Sequence, residues 1–307
     1  MKPDCAFFIP AAGRGSRLLP LTLEQCKPSL PIKINANGKI VRMIESPLNI
    51  VKELHCRAIV TACYKEEKLR FVQEYKNVIY KKLDDPDFNK TFVECESFFK
   101  ESEIKIVCYL PSDTLLPTVV IKNMLNEMKD DTLAVLLCTR ELNGHNLRKR
   151  DKRGILTEGE GEWCGDLGVY VINIKKLFDN EETFENFDIV KCWNQKRYIK
   201  KGLIKLHLCD PDIPYVDMGT PQAFIEIIRS LNKKNMDKNG NIIFPGAVVN
   251  SNSKNIVALP GSNSVNLVLQ DCVIPENKYV ERYEDVLHIP LEAKKYFNII
   301  NEYYFNW

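Results

Sequence analysis

The chain has 307 residues, 45% of them hydrophobic, and a formal charge of +2 at pH 7. That length allows one large domain with an appendage, or two domains, around a sizeable core. Near-neutrality removes the electrostatic ground for a nucleic acid or an anionic membrane as the main partner.

In chain order, CAFFIPAA (5–12) reads as a buried strand. It is too short for a secretory apolar region, and no run approaches the roughly 20 apolar residues of a membrane span. SPLNIVKELH (46–55) places Leu48, Val51 and Leu54 at helical spacing, AIVTAC (58–63) is a strand, and EEKLRFVQEYK (66–76) is a helix. IKIVCYL (104–110) is a strand, VIKNMLNEM (120–128) a helix, TLAVLLC (132–138) a strand and GVYVIN (168–173) another. FDIVKCWNQKRYIKKG (187–202) reads as a helix closed by glycine, LIKLHL (203–208) as a strand, and PQAFIEIIRSLNKK (221–234) as a helix opened by proline. This alternation predicts an α/β fold with a Rossmann-like, mostly parallel sheet flanked by helices. Ligands of such sheets bind beyond the carboxyl ends of the strands.

Composition changes at the polar, turn-rich NMDKNGN near residue 235. Short β-like pieces follow, with turns at Pro245-Gly246 and Pro260-Gly261. We therefore expect a domain over 1–235 and a β-rich appendage over 236–307, with a degenerate left-handed β-helix as one reading of its stacked pieces. LEAKKYFNIINEYYFNW at the end reads as an aromatic-rich helix, packed on the body or on a second copy in a homo-oligomer. Eleven cysteines are scattered without a CxxC pair, and Cys108 and Cys138 lie inside apolar runs, where cysteine acts as a small hydrophobe. This predicts a reducing compartment with neither disulfides nor a zinc site, and hence a soluble, cytoplasmic protein.

The strongest signal is FFIPAAGRGSRLLPLTLEQCKPSLPI (7–32). After the strand, Gly13, Arg14, Gly15 and Ser16 form a loop whose backbone N–H groups suit an anion. Ala11 and Ala12 are small enough to leave room for a nucleoside. Arg17 supplies a planar cation and Lys27 a point charge for phosphate oxygens. Leu18 stands where a dinucleotide fingerprint needs its third glycine, and the P-loop pattern is absent. Two acidic residues stand out downstream. Asp113 follows the strand 104–110 directly, at the catalytic edge; alone it reads as a turn or cap residue. Asp217 lies in IPYVDMGTPQAF, where Thr220-Pro221 alone would read as the start of a helix.

AAGRGSRLLPLTLEQCKPSLPI resembles the signature of the sugar-phosphate nucleotidyltransferases, with Gly13, Gly15, Arg17, Pro20, Thr22, Lys27, Pro28 and Pro31 in register. YVDMGTP resembles a second motif of that family, with Tyr215 where tryptophan is common. CGDLGVYVIN and FENFDIVKCW resemble two further segments, and the likeness covers about residues 5–230. The resemblance implies a nucleotidyltransferase that moves a nucleoside monophosphate from an NTP to a phosphorylated acceptor. Arg17, Lys27 and Asp113 would be catalytic, and Mg²⁺ would be held by Asp113 and Asp217. Residues 11–17, Lys27 and Thr91 would hold the nucleotide.

The chain departs from the family in three places. Ser112 replaces the usual glycine before Asp113. The Glu-Lys-Pro that contacts the sugar phosphate is missing from RDKRGILTEGEGEWCGDLGVY, where Lys149, Arg150, Lys152 and Arg153 read as a solvated basic loop. The base-reading segment VIYKKLDDPDFNKTFVECESFF (78–99) lacks its usual residues. Glu158, Asp166, Gly168 and Tyr170 are the candidates for the acceptor. Three readings stay open: a sugar 1-phosphate acceptor; a phosphocholine-like acceptor, with Trp163 and Tyr170 facing the trimethylammonium group; and a non-catalytic subunit that binds a nucleotide sugar.

Overall fold

Buried apolar runs become the central strands of the computed structural model, which describes residues 4–84, 92, 95–101, 103–142, 146–180, 189, 192–210 and 215–288. The strands are β1 (Cys5–Pro10), β2 (Pro31–Ile34), β3 (Ile40–Arg42), β4 (Arg57–Ala62), β5 (Val78–Lys82), β6 (Ile106–Tyr109), β7 (Thr114–Leu115), β8 (Ala134–Thr139), β9 (Asn146–Arg150), β10 (Glu162–Asn173), β11 (Ile204–Leu208) and β12 (Val216–Asp217). The helices are α1 (Glu45–Glu53), α2 (Glu96–Glu101), α3 (Thr118–Glu127), α4 (Ile174–Asn180), α5 (Lys196–Lys200) and α6 (Pro221–Leu231). The main sheet runs β11-β8-β10-β6-β1-β4-β5.

Every neighbour pair in this path is parallel except the two that involve β10. Alternation along β1 explains why its whole length is apolar. Phe7 and Ile9 enter one core with Leu48 and Val51 of α1 and with Val120, Ile121 and Met124 of α3. Ala6 and Phe8 enter the core on the other face, with Phe99, Tyr109, Tyr170 and Trp193. The expected α/β sheet covered on both faces is therefore present.

The helix expected over 66–76 is present as a 3₁₀-helix over 66–74. Its buried residues, Leu69 and Val72, are three apart, the spacing that a three-residue turn stacks on one side. Lys149 and Arg150 of the basic run lie in strand β9 rather than a loop, because Glu162, Trp163, Cys164, Gly165 and Asp166 of β10 pair with it, while Lys152 and Arg153 are in an exposed turn. The segment 187–202 is not one helix over its described part: a 3₁₀ turn at Cys192–Asn194 precedes α5. The expected terminal helix, Thr91 and most of FENFDIVKCW lie outside the described residues.

After α6, short strands β13 (Ile242–Ile243), β14 (Val248–Val249), β15 (Val257–Ala258), β16 (Asn263–Ser264), β17 (Cys272–Ile274) and β18 (Leu287–His288) follow. Parallel pairing sets Ile242 beside Val257 and Val257 beside Val273, and Val248 beside Asn263. The chain thus returns to the same lane about every fifteen or sixteen residues, the pattern of a coil. Two corners repeat with it in the left-handed region: Gly240, Asn255 and Asp271, and Gly246, Gly261 and Asn277. Glycine, asparagine and aspartate are the residues that accept this conformation most readily.

The coil packs on the body. Ile242, Val257 and Val273 share one core with Phe224 and Ile228 of α6 and with Leu18 and Leu30. The Arg42 guanidinium also grips Glu276 with both nitrogens, at 2.9 and 3.1 Å. Replacing Glu276 by alanine leaves this half-buried cation without its forked partner. We expect a loss of about 2 kcal/mol, read as a fall of several degrees in the melting temperature by calorimetry.

Candidate active site

The loop after β1 leaves the carboxyl edge of the sheet, tied down by the Ala11 N–H to the Thr61 carbonyl at 2.8 Å. Ala11 and Ala12 are buried beneath it, while Gly13, Arg14, Ser16 and Arg17 are exposed. Gly15 has φ of 67°, and a Cβ there would lie 2.8 Å from Lys27 Cβ and 3.0 Å from Thr22 Cγ2. Only glycine lets the loop turn this tightly against the Lys27 side chain. The Thr22 hydroxyl closes the same turn by donating to the Gly15 carbonyl at 3.0 Å.

Lys27 opens a short 3₁₀ turn, Lys27–Ser29, and its ammonium pairs with the Asp113 carboxylate. Asp113 sits between β6 and β7. β7 pairs antiparallel with β12, setting Thr114 opposite Asp217, and the Met218 N–H donates to the Asp113 carbonyl at 2.9 Å. Two aspartates more than a hundred residues apart are thereby held side by side. Gly219 marks where they meet. A Cβ on it would lie 2.7 Å from Asp217 Oδ1, 2.9 Å from an Arg17 terminal nitrogen and 3.1 Å from Asp113 Oδ2.

The Asp217 carboxylate accepts the Gly219 N–H at 2.7 Å. The crowding of protein atoms around it, and next the charge of Asp113, raise its pKa, while Gly219, Lys27 and Arg17 oppose the rise. A like charge this close favours the protonated carboxyl, and Lys27 and Arg17 offset part of that charge. Two carboxylates with no thiolate or imidazole suit a hard divalent ion such as Mg²⁺, which completes its shell with substrate phosphate oxygens. Among the described residues no group of three or more His, Cys, Asp or Glu side chains is placed to hold a metal.

The family model described as nucleotidyl transferase matches residues 8–141. That segment is similar to a nucleotidyl transferase domain. No curated protein matches the chain. Proteins with a nucleotidyl transferase domain commonly use a divalent metal. The matched segment contains Arg17, Lys27 and Asp113 but ends well before Asp217, so the place of Asp217 comes from the fold alone.

The acceptor candidates separate in the structure. Gly168 lies in the register shift of β10 between Asp166 and Tyr170, close to the site, because the Tyr215 hydroxyl donates to the neighbouring Leu167 carbonyl at 2.6 Å. Asp166 and Tyr170 do not present themselves to a ligand. The Asp166 carboxylate is taken by Arg148, at 2.8 and 3.1 Å, in a pair whose side chains are 1% and 2% exposed. Tyr170 is packed between Tyr109 and Trp193, and burial pushes its hydroxyl pKa well up. Both are corrections: alternation along β10 turns these side chains into the core. Glu158 is exposed and follows residues 155–156, which lie against β11. β11 is three strands from β6, or about 14 Å at ordinary strand spacing. Of the two aromatic candidates for a trimethylammonium group, only Trp163 is exposed, at 52%, with the Lys149 ammonium 5.6 Å from its ring centre.

Sequence reasoning missed Arg148 as the partner of Asp166, and the Tyr215 hydroxyl as a link to the bulge. Alternation in NLRKR (146–150) gave no signal for the first, since its one apolar residue, Leu147, is exposed and Arg148 is buried. Gly219→Ala tests the convergence directly. The added methyl collides with Asp113, Asp217 and Arg17, so the variant should fold while losing the thermal stabilisation that an NTP with Mg²⁺ gives the wild type.

Proposed function

We propose that the chain transfers a nucleoside monophosphate from an NTP to a sugar 1-phosphate, releasing pyrophosphate and forming a nucleotide sugar. What supports this reading is the convergence of Arg17, Lys27, Asp113 and Asp217 around Gly219, beside a glycine-rich loop on the carboxyl edge of the sheet. The likeness of the GVY strand to sugar-phosphate enzymes supports the sugar. The burial of Tyr170 counts against an aromatic cage for phosphocholine.

In this reaction an acceptor phosphate oxygen attacks the α-phosphorus, and the bond from that phosphorus to the bridging oxygen of pyrophosphate breaks. The attacking oxygen is already ionised, so no general base is required. Catalysis then consists of alignment and charge neutralisation. The backbone from Gly13 to Ser16 offers N–H groups to the polyphosphate. Arg17 and Lys27 neutralise the charge that builds on the leaving pyrophosphate. Asp113 and Asp217 would hold Mg²⁺, which supplies further neutralisation of phosphate oxygens when bound.

Pyrophosphate release, measured across the common NTPs with sugar 1-phosphates and with phosphocholine, tests the assignment. We expect one NTP and one sugar 1-phosphate to support turnover. Release with phosphocholine alone would replace the acceptor. No release from any pair, with nucleotide sugars still raising the melting temperature, would favour the non-catalytic subunit. Asp113→Ala and Asp217→Ala should each abolish release while the fold persists, and turnover retained in both removes the metal role. Lys27→Ala should lower kcat by about a hundredfold or more, the usual loss for a donor aimed at developing charge.

A further inference from the structure

The buried ion pair under the bulge of β10 has no evident reason to exist as a stabilising device. Apolar residues of similar volume often serve a core as well as or better than a paired arginine and aspartate, because both ions must be stripped of water. What such a pair can fix is direction.

Asp166 collects four hydrogen bonds. Oδ2 accepts Arg148 Nε at 3.1 Å, an Arg148 terminal nitrogen at 2.8 Å and the Tyr170 hydroxyl at 3.3 Å. Oδ1 accepts the Gly168 N–H at 2.9 Å. This set spans the register shift between Asp166 and Tyr170 and holds the bulge in one shape. Leu167, inside the shift, takes no part in the pairing of β10 with β6, β8 or β9. Its carbonyl is instead the acceptor for Tyr215 at 2.6 Å. Tyr215 is two residues before Asp217, and β12, which carries Asp217, has only a two-residue ladder to β7.

We infer that Arg148, Asp166 and Tyr215 are positioning residues for Asp217: the ion pair shapes the bulge, the bulge aims the Leu167 carbonyl, and the Tyr215 hydroxyl moors the short strand that carries the carboxylate. This rests on the reading of Asp217 as a metal ligand. Outer partners of a ligating carboxylate commonly set metal affinity by ten- to a hundredfold. The short ladder of β12 makes such a mooring necessary here.

The test is the affinity of the full chain for Mn²⁺ with inorganic pyrophosphate, read by water-proton relaxation, with the melting temperature measured alongside. Tyr215→Phe keeps the ring and removes one donor. It should raise the Kd about tenfold and shift the melting temperature by no more than a few degrees. Asp166→Asn should raise the Kd to a similar extent; should that variant not fold, Tyr215→Phe alone decides. If Asp217→Asn weakens binding and Tyr215→Phe does not, the positioning role is overturned while the metal reading stands. If Asp217→Asn leaves the Kd unchanged, the metal reading falls, and the inference with it.

Discussion

Two residue pairs of antiparallel ladder, Leu115 with Val216 and Thr114 with Asp217, determine where negative charge gathers in this molecule. Without them Asp113 would end a strand at the sheet edge and Asp217 would precede α6, with nothing to relate the two. With them, both carboxylates crowd the space over Gly219, and Lys27 and Arg17 are drawn to the same point. Such a ribbon is too short to hold its own geometry. The packing of Leu115, Met218 and Phe224 into one core anchors it from below. The Thr220 side chain, accepting the Ala223 N–H at 3.3 Å, fixes the start of α6 immediately after it.

This arrangement explains why the glycine-rich loop and the aspartates belong to one site although they sit far apart in sequence. Lys27 is packed against Gly15 on one side and paired with Asp113 on the other. It therefore transmits the position of the loop to the carboxylates. A bulkier residue at Gly15 would push Lys27 away from Asp113. A bulkier residue at Gly219 would push the aspartates away from Arg17. The two glycines are the points of closest approach in the site, and their lack of a side chain is what allows opposite charges to assemble there without intervening carbon.

Much of the sheet was legible because β1, β4, β6 and β8 are continuous apolar runs, and only a strand covered on both faces calls for that. The tight turn of the glycine-rich loop was legible because its glycines, arginine and lysine are close in sequence. What was hidden depends on pairing rather than composition. Lys149 and Arg150 look like part of a solvated loop until β10 pairs with β9, a pairing that also turns Arg148 inward to Asp166. For the same reason Asp166 and Tyr170 looked like ligand contacts: nothing local in CGDLGVYVIN distinguishes an acid that meets a substrate from one that meets a buried arginine. The coil was only half legible because its corners alternate among glycine, asparagine and aspartate, so the shared backbone conformation leaves no repeated letter.

Two shielded ion pairs reach the site from different elements. In one, Glu276 of the coil holds Arg42, whose guanidinium also donates to the carbonyl of Ser29, the last residue of the turn that begins with Lys27. In the other, Arg148 holds Asp166, and through the bulge and Tyr215 reaches the strand of Asp217. On the proposed function, the lysine and the aspartate that meet one polyphosphate are thus each tethered through a pair largely shielded from water, where screening by salt is weak. The appendage is in this sense part of the site: its carboxylate at residue 276 bears on the turn that presents Lys27, as the buried pair beneath β10 bears on Asp217.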